Sequence, residues 1–307
     1  MKTGNGRQRQ LGVWLLAARP RTLILAVACV GMGVLLASAD GVFAPLIAGL
    51  TIVTAALLQI LSNLANDYGD SVHGADHEER LGPSRTVQSG QISAGVMKRA
   101  IGLLVGVTAL VGIGLLWLAL GAAGIVIMVA FLSVGALAIW AAITYTAGRL
   151  PYGYAGLGDL AVFLFFGWVA VLGSYYLQAL DLGLDLLLPG TSCGLFAVAV
   201  LNVNNIRDID SDRLAGKRSV PARIGLRRAR MYHWSLLTVG MLAAVAYVLA
   251  DYSSAWQWLF LLTAPMFILN GRAVSRLPPA ELDPLLGQMS MSTLLFVVCF
   301  GIGQLLA

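Results

Sequence analysis

Between Asn204 and Arg218 the sequence gathers Arg207, Asp208, Asp210, Asp212, Arg213, Lys217 and Arg218, although only 11% of the 307-residue chain is charged. If the apolar helix that precedes this stretch continues through Asp212, Asp208 and Asp212 stand four residues apart and share a helix face. Carboxylates held side by side repel, so the pair implies either a raised pKa or a bound cation, and we favour the cation. A second polar island runs from Asn63 to Gly90, and its Asp67 and Asp70, three apart, repeat the arrangement. Carboxylate pairs with Lys and Arg close by suit a substrate bearing a diphosphate. Mg²⁺ takes one or two carboxylates and completes its shell with water and phosphate oxygens, and nearby cations stabilise the charge that develops on a departing diphosphate. In this picture Asp67, Asp70, Asp208 and Asp212 hold two or more Mg²⁺ ions and Asn66 adds an amide oxygen. Arg85, Arg207, Lys217 and Arg218 face the diphosphate. Asp76 and Asp210 read equally well as ligands or as solvated charges, Glu78 and Glu79 as a charged surface, and His73, His77 and His233 show no spacing that suggests a metal or a base.

Such pairs need a scaffold, and the composition says which kind. The chain is 58% hydrophobic, whereas a soluble domain is nearer half apolar and a quarter charged. Runs of about 20 apolar residues can cross a bilayer core, and nine are present, near 20–38, 44–65, 97–119, 122–144, 156–178, 185–203, 232–250, 255–271 and 288–306. The expected fold is an all-α membrane protein of nine spans forming one domain over residues 1–307, with acidic loops at 63–90 and 202–223. With the N-terminus inside, all 20 Lys and Arg fall on the inner face, while Asp40, Asp181, Asp185 and Asp251 fall on the other. This asymmetry predicts a cytoplasmic N-terminus in the cell inner membrane and a site that opens to the cytoplasm. The net charge of +5 is explained by that bias toward the bilayer, and no nucleic-acid partner is expected. Cys29, Cys193 and Cys299 lie inside apolar runs and read as buried small hydrophobes. Four spans separate the two islands, so their helices run the same way and the carboxylate pairs face each other across one cavity.

The pattern Asn66-Asp67-x-x-Asp70-x-x-x-Gly74-x-Asp76, with Gly82-Pro83-x-Arg85, and the pattern Asn204-Asn205-x-Arg207-Asp208-x-x-x-Asp212-x-x-x-Gly216-Lys217-Arg218 together resemble the UbiA superfamily of intramembrane aromatic prenyltransferases. The likeness covers all nine spans and looks strongest to the members that act on 1,4-dihydroxy-2-naphthoate in menaquinone biosynthesis. It implies nine helices around a central chamber capped by the two acidic loops. Mg²⁺ would be held by Asn66, Asp67, Asp70, Asp208 and Asp212, with Lys217 joining the four aspartates as catalytic residues. The substrates would be a polyprenyl diphosphate and a dihydroxynaphthoate, prenylated with loss of CO₂ to a demethylmenaquinol. Tyr145 and Tyr154 match a Tyr/Gly segment of the family and would shield the allylic cation; Asn204 and Asp76 are further candidates. Asp159 and Ser219 depart from the usual Glu and Thr. Without the family, tyrosines here read as an interfacial belt, an explanation that suits Tyr152 best, while a ring face over a cation suits Tyr145 and Tyr154. Arg19-Pro20-Arg21-Thr22 could contact an acceptor carboxylate or anchor the chain at the interface. Other acceptors, such as 4-hydroxybenzoate, homogentisate or haem, are the alternative within the family. A secondary transporter is the rival class, but transporters place charge near the midplane, whereas the acids here sit at one rim.

Overall fold

A computed structural model describes residues 3–72, 81–82, 85–121, 123–148 and 151–307, with side chains from residue 10 onward. Asp76 lies outside the described residues, as do His73, Gly74, His77, Glu78, Glu79, Pro83 and Arg149. Among the described residues every regular element is helical, and nine helices are long and apolar enough to cross a membrane. Span 1 is Pro20–Ala39, span 2 Pro45–Val72, span 3 Ala94–Leu120, span 4 Ile125–Thr144 and span 5 Gly158–Ala179. Span 6 is Leu184–Arg207, span 7 Leu226–Ala250, span 8 Ala255–Arg276 and span 9 Asp283–Leu305. Each coincides with one of the nine apolar runs. Several continue past the apolar residues, because polar side chains at their ends find partners in the protein: span 2 runs on to Val72 and so carries Asn66, Asp67 and Asp70 in helical register.

A further helix, Thr3–Ala18, precedes span 1 and has no counterpart in the hydropathy pattern. Its Ala17 is buried beside Leu64, Ile92 and Met97, while Leu11, Leu15 and Leu16 are exposed. Arg19, left-handed at φ 48, separates it from span 1, and Pro20 opens the next helix.

Packing is uneven across the bundle. Phe196, Phe260, Phe267, Phe296 and Phe300, from spans 6, 8 and 9, interlock with ring centroids 4.4 to 6.2 Å apart, in the offset and edge-on geometries that aromatic quadrupoles favour. Span 5 contains a π-helical stretch, Phe163–Val169, and Gly167 lies so close to span 6 that a Cβ would stand 2.7 Å from the Gly190 carbonyl oxygen. Small residues permit such approach where lipid supplies no hydrophobic drive. Span 6 is the most enclosed helix, 72% buried over its apolar window, and span 4 the least, at 6%. Span 6 therefore forms the pillar, with the aromatic core on one side. On its other side a cavity of about 590 Å³ is lined mainly by spans 1 to 6. The cysteines are free; Cys29 and Cys193 are buried and Cys299 partly so.

Candidate active site

Asp67 and Asp70 share a helix face as their spacing predicts, but they have different partners. Asp67 is buried and organises the following loop: its Oδ2 accepts hydrogen bonds from Thr86 N at 3.1 Å and Thr86 Oγ1 at 2.7 Å, and its Oδ1 from Val87 N at 3.1 Å. A carboxylate offers about four lone-pair positions, so most of this one is committed to the loop. Asp70 faces the cavity, pairing with Arg85 Nη2 at 2.5 Å and accepting a hydrogen bond from the Tyr154 hydroxyl at 3.0 Å. Asn66 also lines the cavity, and its Oδ1 accepts from Thr146 Oγ1 at 3.0 Å.

The second island departs from a continuous helix. Span 6 ends at Arg207, Asp208 takes φ −99 and ψ 16, and a short helix, Ile209–Leu214, follows. One turn survives the break, since Asp212 N donates to the Asp208 carbonyl at 2.8 Å. The break turns the two carboxylates to different partners. Asp208 is gripped by Arg207 through Nε and Nη2, both at 2.8 Å, and Arg207 also donates to Asn204 Oδ1 at 2.9 Å and Asp283 Oδ1 at 2.5 Å. Asp212 accepts from Ser219 Oγ at 2.7 Å and pairs with Lys217 Nζ at 3.3 Å. Burial holds its carboxyl above the ordinary carboxylate range, against the opposing pull of Lys217 and Ser219. Gly216, at φ +71, supplies the left-handed step that ends the short helix and returns Lys217 N to the Asp212 carbonyl at 2.8 Å. Arg218 is exposed, and its N–H donates to the Tyr154 carbonyl at 3.0 Å. Asp210 is almost fully exposed, 4.0 Å from Arg213.

Tyr154 joins the islands. Its hydroxyl reaches Asp70 while Lys217 Nζ stands 6.0 Å from its ring centroid, within cation–π range. The sequence Asp70, Tyr154, Lys217, Asp212 is thus one continuous set of contacts at one end of the bundle. Asp70, Arg85, Lys217, Asn66 and Asn204 all border the cavity, as does Tyr145. Burial pushes the Tyr145 phenol well above its ordinary value, leaving a neutral ring at neutral pH. Tyr152, expected in an interfacial belt, lines the cavity as well, edge-on to Tyr145 with centroids 5.4 Å apart. Asp159 accepts from the Tyr232 hydroxyl at 2.9 Å and ties span 5 to span 7. His233 is buried with its Nε2 3.0 Å from Asn270 Oδ1, a packing role.

Among the described residues no three His, Cys, Asp or Glu side chains converge closely enough to cage an ion. Carboxylates and amides presented in ones and twos beside Lys and Arg are the donor set expected where Mg²⁺ completes its shell with substrate phosphates, so the residues fit that ion. Asp283 was missed from the sequence. It accepts from Arg21 Nη1 at 2.8 Å as well as from Arg207, linking spans 1, 6 and 9 at the charged mouth. The available signal was an acid at the start of the last apolar run, on the side to which the expected topology assigns the Lys and Arg residues.

Residues 24–294 match the UbiA prenyltransferase family. The chain belongs to this family. A UbiA relative in Escherichia coli (strain K12), 1,4-dihydroxy-2-naphthoate octaprenyltransferase, is 47% identical over 295 residues, covering 96% of this chain and 95% of its own. The protein of the same name in Haemophilus influenzae is 43% identical, covering 97% of each chain. The fold is shared with solved UbiA homologues. One from Aeropyrum pernix K1 superposes with a TM-score of 0.67 at 20% identity, over 92% of this chain and 96% of that one. Another from Archaeoglobus fulgidus, bound to GPP and Mg²⁺, gives 0.63 at 14% identity, over 96% and 100%.

Proposed function

We propose that this protein transfers a polyprenyl group from polyprenyl diphosphate to 1,4-dihydroxy-2-naphthoate with loss of CO₂, giving a demethylmenaquinol. The observation that carries the reading is the contact set Asp70, Tyr154, Lys217 and Asp212 at the mouth of a largely apolar cavity. It supplies acids and cations for a diphosphate head and an apolar space for an isoprenoid tail. The acceptor rests on the two relatives of that name. Mg²⁺, held through Asn66, Asp67, Asp70, Asp208 and Asp212, would draw off charge from the diphosphate. Arg85 and Lys217 stand at the cavity mouth to neutralise the leaving group, with Arg207 and Arg218 completing the cationic rim. As the allylic C–O bond breaks, its electron pair leaves with the diphosphate, and the neutral Tyr145 ring shields the cation beside Tyr154. The carboxyl-bearing ring carbon forms the new C–C bond, and the electron pair of its bond to the departing CO₂ restores the aromatic ring. No oxidant is consumed. The protein is read as an inner-membrane protein with its N-terminus and site on the cytoplasmic side, supported by the placement of all 20 Lys and Arg.

The test is mass spectrometry of products made by purified protein in nanodiscs with Mg²⁺, octaprenyl diphosphate and either dihydroxynaphthoate, 4-hydroxybenzoate or homogentisate. The expected result is octaprenylated, decarboxylated naphthol from the first acceptor alone, lost on chelation of Mg²⁺ and in Asp70→Asn. A product from another acceptor in place of it would reassign the substrate, and counterflow of a solute without any product would make the protein a transporter.

A further inference from the structure

Of the buried side-chain carbonyl oxygens left without a hydrogen-bond donor among the described residues, those of Asn202 and Asn205, only that of Asn205 belongs to a residue lining the cavity. Asn205 is 2% exposed, and protein interiors seldom keep such an atom unless a ligand or water meets it. The other asparagine oxygens of this region have donors: Asn204 Oδ1 accepts from Arg207, Asn66 Oδ1 from Thr146, and Asn63 Oδ1 from Gln59 Nε2 at 3.1 Å.

The position of Asn205 says what would meet it. The cavity face of span 6 runs Ala197, Val200, Leu201, Asn204, Asn205, the spacing of one helix stripe, and Asp208 follows just above. Asn205 therefore stands where the apolar wall gives way to the charged mouth. An allylic carbon between a diphosphate head and an isoprenoid tail must lie at that boundary, and the ring that attacks it must lie there too. A lone acceptor oxygen takes a cation or a hydrogen-bond donor, and the proposed Mg²⁺ already has Asn66 and the four aspartates, which leaves a donor. The diphosphate offers none when ionised, the isoprenoid has none, and the acceptor's carboxylate has none. The ring hydroxyls do.

We infer that Asn205 is the residue that recognises the aromatic acceptor, its side-chain carbonyl accepting a hydrogen bond from one ring hydroxyl of a dihydroxynaphthoate. The assignment rests on the proposed reaction and deepens it. A neutral amide accepting from the phenol orients the ring over the allylic carbon and pushes electron density into it. It also makes specificity: a site built to pair with a hydroxyl rejects the analogue that lacks it far more strongly than an apolar pocket rejects a missing methylene.

The experiment measures kcat/KM with octaprenyl diphosphate and three acceptors: the dihydroxynaphthoate and the two 2-naphthoates lacking one hydroxyl each. Wild type should discriminate against one monohydroxy compound by about a hundredfold or more. Asn205→Leu, similar in volume, should reduce that ratio to within about threefold of unity by loss of turnover on the dihydroxy compound. The KM for octaprenyl diphosphate and the half-saturating Mg²⁺ should hold, and Asn205→Gln should restore part of the ratio. If wild type loses less than threefold on both monohydroxy compounds, the assignment falls without any variant. An unchanged ratio in Asn205→Leu, or a shift in the diphosphate KM instead, also overturns it and leaves the reaction standing. Wild type that prenylates no naphthoate overturns both.

Discussion

Tyr154 makes two contacts that different substitutions separate. Tyr154→Phe keeps the ring beneath Lys217 and removes the hydroxyl that Asp70 accepts from. A hydrogen bond to a charged group contributes about 1.5–3 kcal/mol, so kcat/KM should fall roughly ten- to a hundredfold. Tyr154→Leu removes the cation–π contact as well and should fall further; equal losses in steady-state assays would mean that the ring does nothing for Lys217. Asp212 offers a pH test. Its folded-state pKa lies above the ordinary carboxylate value because the group is buried, with Ser219 opposing the rise. A protonated carboxyl binds Mg²⁺ poorly, so the half-saturating Mg²⁺ concentration should climb as pH falls, beginning at a higher pH than for a solvated aspartate. Ser219→Ala removes the opposing hydrogen bond and should move that acid limb to still higher pH. An acid limb that stays in place would mean that Asp212 is not a metal ligand.

At the scale of helices, Asp283 is the point where three spans meet. Span 9 begins at this residue, whose two oxygens take Arg21 from span 1 and Arg207 from span 6. Arg207 is nearly inaccessible, and a buried cation that loses an acid is left undercompensated. Asp283→Ala should therefore cost about 1.5–3 kcal/mol, seen as a lower melting temperature of detergent-solubilised protein. Arg21→Gln, which removes a half-exposed partner, should cost less. The contrast also marks what was legible in the sequence. The nine spans were, because each apolar run must cross the bilayer. The convergence of the two acidic islands was too, because an even number of spans separates them. Their internal geometry was not. Asp208 and Asp212 look like a helical pair, yet the chain breaks at Asp208 because Arg207 and Ser219 claim the two carboxylates in different directions. The Asp283 link joins residues 76 apart in the chain, and no local pattern encodes that distance. The Thr3–Ala18 helix was missed because it is too polar to read as a span, while its exposed Leu11, Leu15 and Leu16 register only once the packed face is known.

Across the whole bundle the aromatic core of spans 6, 8 and 9 is filled, and the free space lies on the side of spans 2 to 5. In the proposed reaction the diphosphate head is the same for every chain length, so selection among prenyl donors would have to come from the apolar walls. Gly135 on span 4 and Gly173 on span 5 both line the cavity, and a Cβ at either would meet nothing within 4 Å. A leucine there can occupy the tail's volume without moving backbone. In competition between geranylgeranyl and octaprenyl diphosphate, Gly135→Leu and Gly173→Leu should each shift the product ratio toward the shorter chain by about tenfold, equivalent to ~1.4 kcal/mol, with turnover of the shorter donor retained. Gly49→Leu, equally free of neighbours but outside the cavity, should leave the ratio alone. If both cavity variants also leave it alone while the protein stays active, the tail does not run past spans 4 and 5. Length would then have to be measured elsewhere, where the chain leaves this cavity for the lipid.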